Sequence, residues 1–390
     1  MIPISYSEIL KSKRYKYLLQ TSTNGFSNKI VSTIFREGTV VASKNMNHRT
    51  GLPEVELQKV TEQFHQQQKA ELELLFNLAQ KFDGNTNQKI IELIGKVFLR
   101  KNFINEAIHL FERFLEEHDQ EHSIFFYLGE AHFRNKDFQS AGEAFLKAVS
   151  LKPEFADYQN RLGLAYLGQG ACKQAMNAFN QAIEINVYYA AAYFHCGLTY
   201  IKNAIVRDDY ELSIDLEAKA THALEYASQL NPAYKRAEYI EGLAALKNKN
   251  YEEALGKFQM AETAIELPDP RQLVESFYLK LISNKEQIDV VFIWDYIKEL
   301  NLLMKKYPSY ADLYNDLGIA YCILGAHFQK EAANYFDKAL QRNSEYFKAR
   351  KNKKLVANEN RGLEYLIDTL LNLDYDQSST KRKALTIQFF

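Results

Sequence analysis

Apolar and polar positions alternate along this chain with two different periods. From about Gln88 to Ser344 the apolar residues return at steps of three and four, the spacing of one face of a helix. Over that stretch a longer period is superimposed. Gly95, Gly129, Gly163 and Gly197 follow one another at intervals of 34 residues. Twelve, sixteen and nineteen residues beyond Gly129 stand Ala141, Phe145 and Ala148. The same offsets give Ala175, Phe179 and Ala182 from Gly163, Ala107, Phe111 and Phe114 from Gly95, and Ala254, Phe258 and Ala261 from Gly242. A generic helical bundle repeats at 3.6 residues but has no reason to keep a fixed 34-residue step.

The pattern predicts helical hairpins. Each glycine lies on a first helix, in Leu128-Gly129, Leu162-Gly163 and Leu317-Gly318, where a missing side chain lets a second helix cross closely. The small-aromatic-small stripe is the face of that second helix. Pro153, Pro232 and Pro308 each stand ten residues before a glycine, where the preceding helix has ended. Two units carry extra residues. After Gly197 the stripe is Ala220, Leu224 and Ala227, eleven positions late; after Gly318 it is Ala332, Phe336 and Ala339, two late. Residues 270–308 fit a degenerate hairpin with Phe277, Leu281, Ile293, Ile297 and Leu300 as core. Seven units result: 88–121, 122–155, 156–189, 190–234, 235–268, 270–308 and 311–344. Residues 345–390 read as a capping helix from Glu345 to Tyr375 and a loose tail. In the longest insertion, Asp208 or Asp209 is expected to cap a second helix that starts early, runs to about Gln229 and makes the hairpin protrude.

The 34-residue period and its small and aromatic positions resemble the tetratricopeptide repeat (TPR). The resemblance covers most of the chain from Gln88 onward and implies a mainly α fold, a right-handed solenoid of α-α hairpins whose first helices line a concave groove that binds other proteins.

Residues 1–84 do not share the repeat. Arg14–Thr21 alternates, with Tyr15, Tyr17 and Leu19 on one face; Lys29–Arg36 and Thr39–Ser43 are β-branched runs separated by the turn signal Glu37-Gly38, and Asn24-Gly25 marks another turn. A three-stranded antiparallel meander is expected. Pro53 then opens a helix to Phe82, about 45 Å at 1.5 Å per residue, with Val55, Leu57, Val60 and Phe64 as its early stripe. So small a sheet must pack on that helix, on the first repeat or on a second molecule. Its hairpin weakly resembles the strands of roadblock-type regulators of small GTPases.

Composition narrows the chemistry. With 48 Lys and Arg against 49 Asp and Glu, the net charge of -1 gives no reason to expect nucleic acid or an anionic membrane as partner. No run reaches the roughly 20 apolar residues of a membrane span, and the first residues lack the apolar block of a signal peptide. Cys172, Cys196 and Cys322 form no metal or redox pair, so a reducing cytoplasm is the expected location. His118 and His122, among Glu116, Glu117, Asp119 and Glu121, fall between two hairpins and read as a solvated loop. His195 and Cys196 are adjacent on a helix and cannot face each other as a nucleophile pair. Gly168-Gln-Gly170 lies in a hairpin turn, outside any phosphate-binding context. Lys348, Arg350, Lys351 and Lys354 read as the exposed face of the capping helix. Neither catalysis nor a cofactor or metal is expected.

Groove positions follow from the phase of each glycine: Phe126, Glu130 and Phe133; Asn160, Leu164 and Leu167; Phe194, Leu198 and Ile201; Tyr239, Leu243 and Leu246. The surface they predict is aromatic and aliphatic, suited to an amphipathic helix or an extended apolar segment of a protein or peptide partner. Some TPR domains clamp a C-terminal carboxylate with Lys, Asn and Arg at these positions; only Asn160 and Arg161 fit that pattern here. The reading is therefore a scaffold or adaptor. The alternatives are a groove filled from within, by the Pro53–Phe82 helix or the C-terminal helix; self-assembly, or regulation of a small GTPase or of motility or secretion machinery, through the N-terminal segment; and, in another class, an enzyme subunit.

Overall fold

The computed structural model describes residues 4–23, 28–84, 87–263, 271–283, 290–324 and 329–357. They fall into two compact units, 1–268 and 269–390.

The first unit begins with four strands, β1 (Ser5–Lys11), β2 (Lys16–Thr23), β3 (Lys29–Arg36) and β4 (Thr39–Asn47), in an antiparallel meander of that order. The expected three strands are present and a fourth precedes them. In β1 only Leu10 is fully buried, while Glu8 reaches sideways to Lys69, so its apolar alternation is too sparse to declare a strand. The sheet lays one face on α1 (Glu54–Lys81), through Ile30 against Leu57 and Phe64. Tyr17 ties it to more than one element. Its ring stacks on Phe76 of α1 at 5.3 Å and meets the edge of Phe103 at 5.1 Å, and its hydroxyl donates to Glu106 Oε1 at 3.0 Å. Phe103 and Glu106 belong to the start of the first repeat's second helix, so long helix and first repeat together cover the sheet's inner face.

Five helical pairs follow: α2 (Gln88–Arg100) with α3 (Ile104–Leu115), α4 (His122–Arg134) with α5 (Phe138–Leu151), α6 (Ala156–Gln169) with α7 (Cys172–Ile185), α8 (Ala190–Val206) with α9 (Leu216–Leu230), and α10 (Ala237–Lys247) with α11 (Tyr251–Thr263). The glycine positions are filled by the aromatic stripe. A Cβ built on Gly129 would lie 2.6 Å from Phe145 Cδ1, and one on Gly163 2.5 Å from Phe179 Cε1; Leu224 takes the same place at Gly197. Four hairpins turn on a left-handed residue seven positions past the glycine: Asn102, Lys136, Gly170 and Lys249. The Gly168-Gln-Gly170 run owes its second glycine to that backbone conformation.

The fourth pair differs. Its first helix continues to Val206, and Arg207 and Asp215 are left-handed at the two ends of the insertion. The insertion does not extend α9, which starts at Leu216. It folds back on the preceding repeat. Asp208 Oδ2 accepts from Lys173 N at the start of α7, and Asp209 caps a single 3₁₀ turn (Glu211–Ser213) by accepting from Leu212 N. Buried Asn203 closes the loop, accepting from Asp209 N and donating to Asp209 O. The expected protruding hairpin is thus a loop pinned at both ends, its carboxylates bonded to the start of α7 and within the loop and not to α9. Tyr210 remains exposed and Leu212 packs inward.

The second unit contains α12 (Arg271–Ser283), α13 (Val290–Lys306), α14 (Ala311–Ile323), α15 (Gln329–Arg342) and α16 (Phe347–Ala357). Phe277, Leu281, Ile293, Ile297 and Leu300 form its core with Leu313, Leu317 and Phe336. The helix α16 rests on α14 and α15 through buried Ala349 and an Asn352–Asn315 hydrogen bond, leaving Lys348, Arg350, Lys351 and Lys354 exposed. The expected continuation of the cap to Tyr375, and the tail, lie outside the described residues.

Candidate protein-binding surface

The inner face of the first helices in the first unit is built from the positions three before, one after and four after each glycine. On α4, Phe126 is half-buried, stacked on Tyr158 at 4.6 Å and tilted against Phe145 at 5.7 Å. Phe133 meets the edge of Phe138 at 5.3 Å. Buried Glu130 pairs with Arg161 Nε at 2.8 Å. On α6, Leu164 is half-buried, Leu167 is buried, and Asn160 is buried against His195.

At α8 the groove closes. Phe194, Leu198 and Ile201 are all buried, as are Tyr239 and Leu246 of α10, while Leu243 is half-buried. In the earlier units the first helix of one hairpin packs on the second helix of the hairpin before it. Here α10 scarcely meets α9, and α11 lies against α8 instead. A 3₁₀ turn, Pro232–Tyr234, redirects the chain. It places the Tyr234 ring flat on Phe194 at 4.4 Å, and Phe258 of α11 meets Phe194 edge-on at 6.1 Å. The apolar groove read from the sequence is therefore filled from within the first unit at this repeat, by the α10–α11 hairpin and not by the long helix α1. Phe194, Leu198, Ile201, Tyr239 and Leu246, expected on the groove surface, are core residues.

A polar contact fastens that hairpin. The buried His195 ring lies between Asn160 Oδ1 at 2.7 Å and Glu262 Oε1 at 2.6 Å. Burial pushes the Glu262 carboxyl up, but His195 and Arg161 outweigh it and hold it below the ordinary carboxylate range. Asn160 and Arg161, the two residues that fitted a carboxylate clamp, are thus engaged internally, with His195 and with Glu130. Sequence reasoning missed Tyr234 and Glu262 because neither lies at a repeat-defining position; the one local signal was Pro232 in a unit already lengthened.

The other candidates carry no reactive arrangement. His118 caps the end of α3 through Phe114 O, and His122 bonds to the Tyr158 hydroxyl at 2.8 Å. Burial pushes the Cys172 thiol up to about 11 and those of Cys196 and Cys322 to about 12, so each is a protonated, unreactive thiol near neutral pH. Among the described residues no group of three or more His, Cys, Asp or Glu is placed to hold a metal, and no helix is long and apolar enough to cross a membrane.

Residues 93–154 and 218–266 match one tetratricopeptide-repeat family model, and residues 156–186 match a second. With the glycine and stripe geometry above, these matches establish that the chain carries tetratricopeptide repeats. Among solved structures it is similar to a tetratricopeptide-repeat protein from Parabacteroides merdae (17% identity, 70% of this chain and 100% of that one, TM-score 0.34). It is also similar to MamA from Desulfovibrio magneticus RS-1 (19%, 47% and 99%, TM-score 0.35) and to YrrB, described as a TPR protein with an unusual peptide-binding site (17%, 52% and 97%, TM-score 0.35). No curated protein matches the sequence.

Proposed function

We propose that this chain is a scaffold or adaptor that holds a partner protein on the inner face of α4 and α6. Tetratricopeptide repeats present their first helices to partners. The observation that carries the reading is the short strip left at the surface once α10–α11 closes the array. Phe126, Phe133 and Leu164 are half-buried there, beside the Glu130–Arg161 pair, whose arginine side chain keeps 38% of its exposure. A strip two helices long takes one short segment with a few apolar side chains and a polar group that can meet Arg161. Three free cysteines, all buried, fit a reducing compartment such as the cytoplasm.

The test is cross-linking and affinity purification from the native cell with the full chain, comparing wild type with Leu164→Glu and Arg161→Glu. Leu164 serves better than Phe194 because a change at Phe194 disturbs the core. Loss of a bound protein in both variants, at unchanged melting temperature, supports the strip. An unchanged set of bound proteins refutes it.

A further inference from the structure

The outer face of the N-terminal sheet carries a second surface, independent of the repeats. Four residues stand in register across all four strands: Ile9 opposite Leu18, Leu18 opposite Phe35, and Phe35 opposite Val40. Ile9 is 66% exposed, Val40 55% and Leu18 39%, and Phe35 is half-buried. The neighbouring rows are polar. Ser7, Gln20, Thr33 and Ser43 occupy the next register position on one side. On the other, Lys11 stands directly opposite Lys16, both exposed and neither in an ion pair among the described residues. Like charges opposed across two strands oppose pairing. An apolar row and an unneutralised cation pair side by side are two costs that one ligand removes together.

We infer that this face docks an amphipathic helix of a partner protein with carboxylates along one flank. Strands 4.7–4.9 Å apart make the row about 14 Å long, running across the strands. A helix rising 1.5 Å per residue places apolar residues at i, i+4, i+7 and i+11 over about 16 Å, which matches one row. An added strand would instead seek a sheet edge. The charge fixes the polarity. The lysines flank the Ile9–Leu18 end, and Glu37, in the β3–β4 turn, continues their row beyond Lys16 on the side toward Val40. The helix's acidic residues therefore lie at its β1–β2 end.

The probes are three synthetic 18-residue peptides: one with leucines at that spacing flanked by glutamates, the same with lysines, and a glutamate peptide with its leucines scrambled. Binding to the full chain is followed by fluorescence anisotropy at low and high salt. The patterned glutamate peptide is expected to bind and to weaken with salt. Lys11→Glu with Lys16→Glu, and separately Ile9→Ser with Val40→Ser, are expected to weaken it about tenfold or more, as for loss of a few exposed contacts. Glu252→Gln, an exposed change on α11 outside both surfaces, leaves it unchanged. All four sheet positions are exposed, so melting temperatures should hold. Absence of binding, equal binding of the lysine or scrambled peptide, or indifference to the sheet substitutions overturns the inference. So does a concentration-dependent dimer in light scattering that Val40→Ser abolishes, since the occupant would then be a second copy.

Discussion

Phe194→Ala separates a closed array from an open one. In an open groove this side chain would face solvent, and its truncation would cost within about 0.5 kcal/mol. In the structure the ring is fully buried, stacked on Tyr234 at 4.4 Å and edge-on to Phe258 at 6.1 Å. Removing a buried phenylalanine costs about 3–5 kcal/mol, including the aromatic contacts and the cavity left between α8 and the α10–α11 hairpin. Repeat arrays open in parts, so the loss should fall first on that hairpin. Hydrogen exchange of residues 237–263 should quicken about a hundredfold for a loss near 3 kcal/mol, while α2–α5 change far less. A urea titration followed by circular dichroism should show the hairpin leaving before the main transition. If both the titration and the exchange of 237–263 stay within 0.5 kcal/mol of wild type, α10–α11 does not cover α8 and the groove is longer than described.

The glycines offer a test of sign. Gly163→Val drives a branched side chain into the Phe179 ring and should cost about 2–3 kcal/mol, whereas a Cβ on Gly256 meets nothing within 4 Å, so Gly256→Ala should stabilise α11 by about 1 kcal/mol in urea titration. In the second unit, burial, then the charge of Asp312, push the Asp316 carboxyl up to about 7, and Tyr278 donates to it at 3.4 Å. Its folded value lies above its unfolded one, so its contribution is full in acid and lost as pH rises through about 7; Asp316→Asn should level the fall in that unit's stability between pH 5 and 8. Glu262 has the opposite sign: held low in the folded state, it supports the α10–α11 hairpin above the ordinary carboxylate range and ceases to as pH falls through its depressed value. At neutral pH, residues 251–263 in Glu262→Gln should therefore lose protection as wild type does on acidification; a hairpin as protected in the variant as in wild type at neutral pH counts against the contact.

The repeat was legible because its evidence is redundant: each glycine predicts a small residue and a large apolar one at fixed spacing, and the Phe111, Phe145, Phe179, Phe258 and Phe336 rings all sit where their glycines left room. The long helix was legible from Pro53 and one apolar stripe. The first strand was not, since most of its alternate residues are polar or exposed and its place is fixed by β2, α1 and the Glu8–Lys69 pair. The groove positions were read from the phase of each glycine, and at α8 the expected exposure fails. Phase is a local property of one helix, but exposure depends on where the next hairpin lands, and that was set by Pro232–Tyr234 and the preceding insertion. Asp208 or Asp209 was expected to cap the next helix, and neither does: Asp215 stands at the start of α9, while Asp208 bonds to the start of α7 and Asp209 to the loop itself.

The composition of the inner face follows from the same event. In α2, α4, α6 and α10 the residue seven past the glycine turns the chain and the second helix begins at once; in α8 that position stays helical, the helix runs to 17 residues, and nine more pass before α9. The chain then enters the next repeat through a 3₁₀ turn that puts Tyr234 under α8. From there α11 needs an apolar surface to rest on, and α8 supplies Phe194, Leu198 and Ile201 at positions that would otherwise face water. Where no hairpin lands, on α4 and α6, the equivalent positions include Glu130 and Asn160, with Arg161 beside them. The fully buried apolar inner face of α8 thus goes with its coverage by a later hairpin, and the mixed, half-exposed face with α4 and α6, where no hairpin lands.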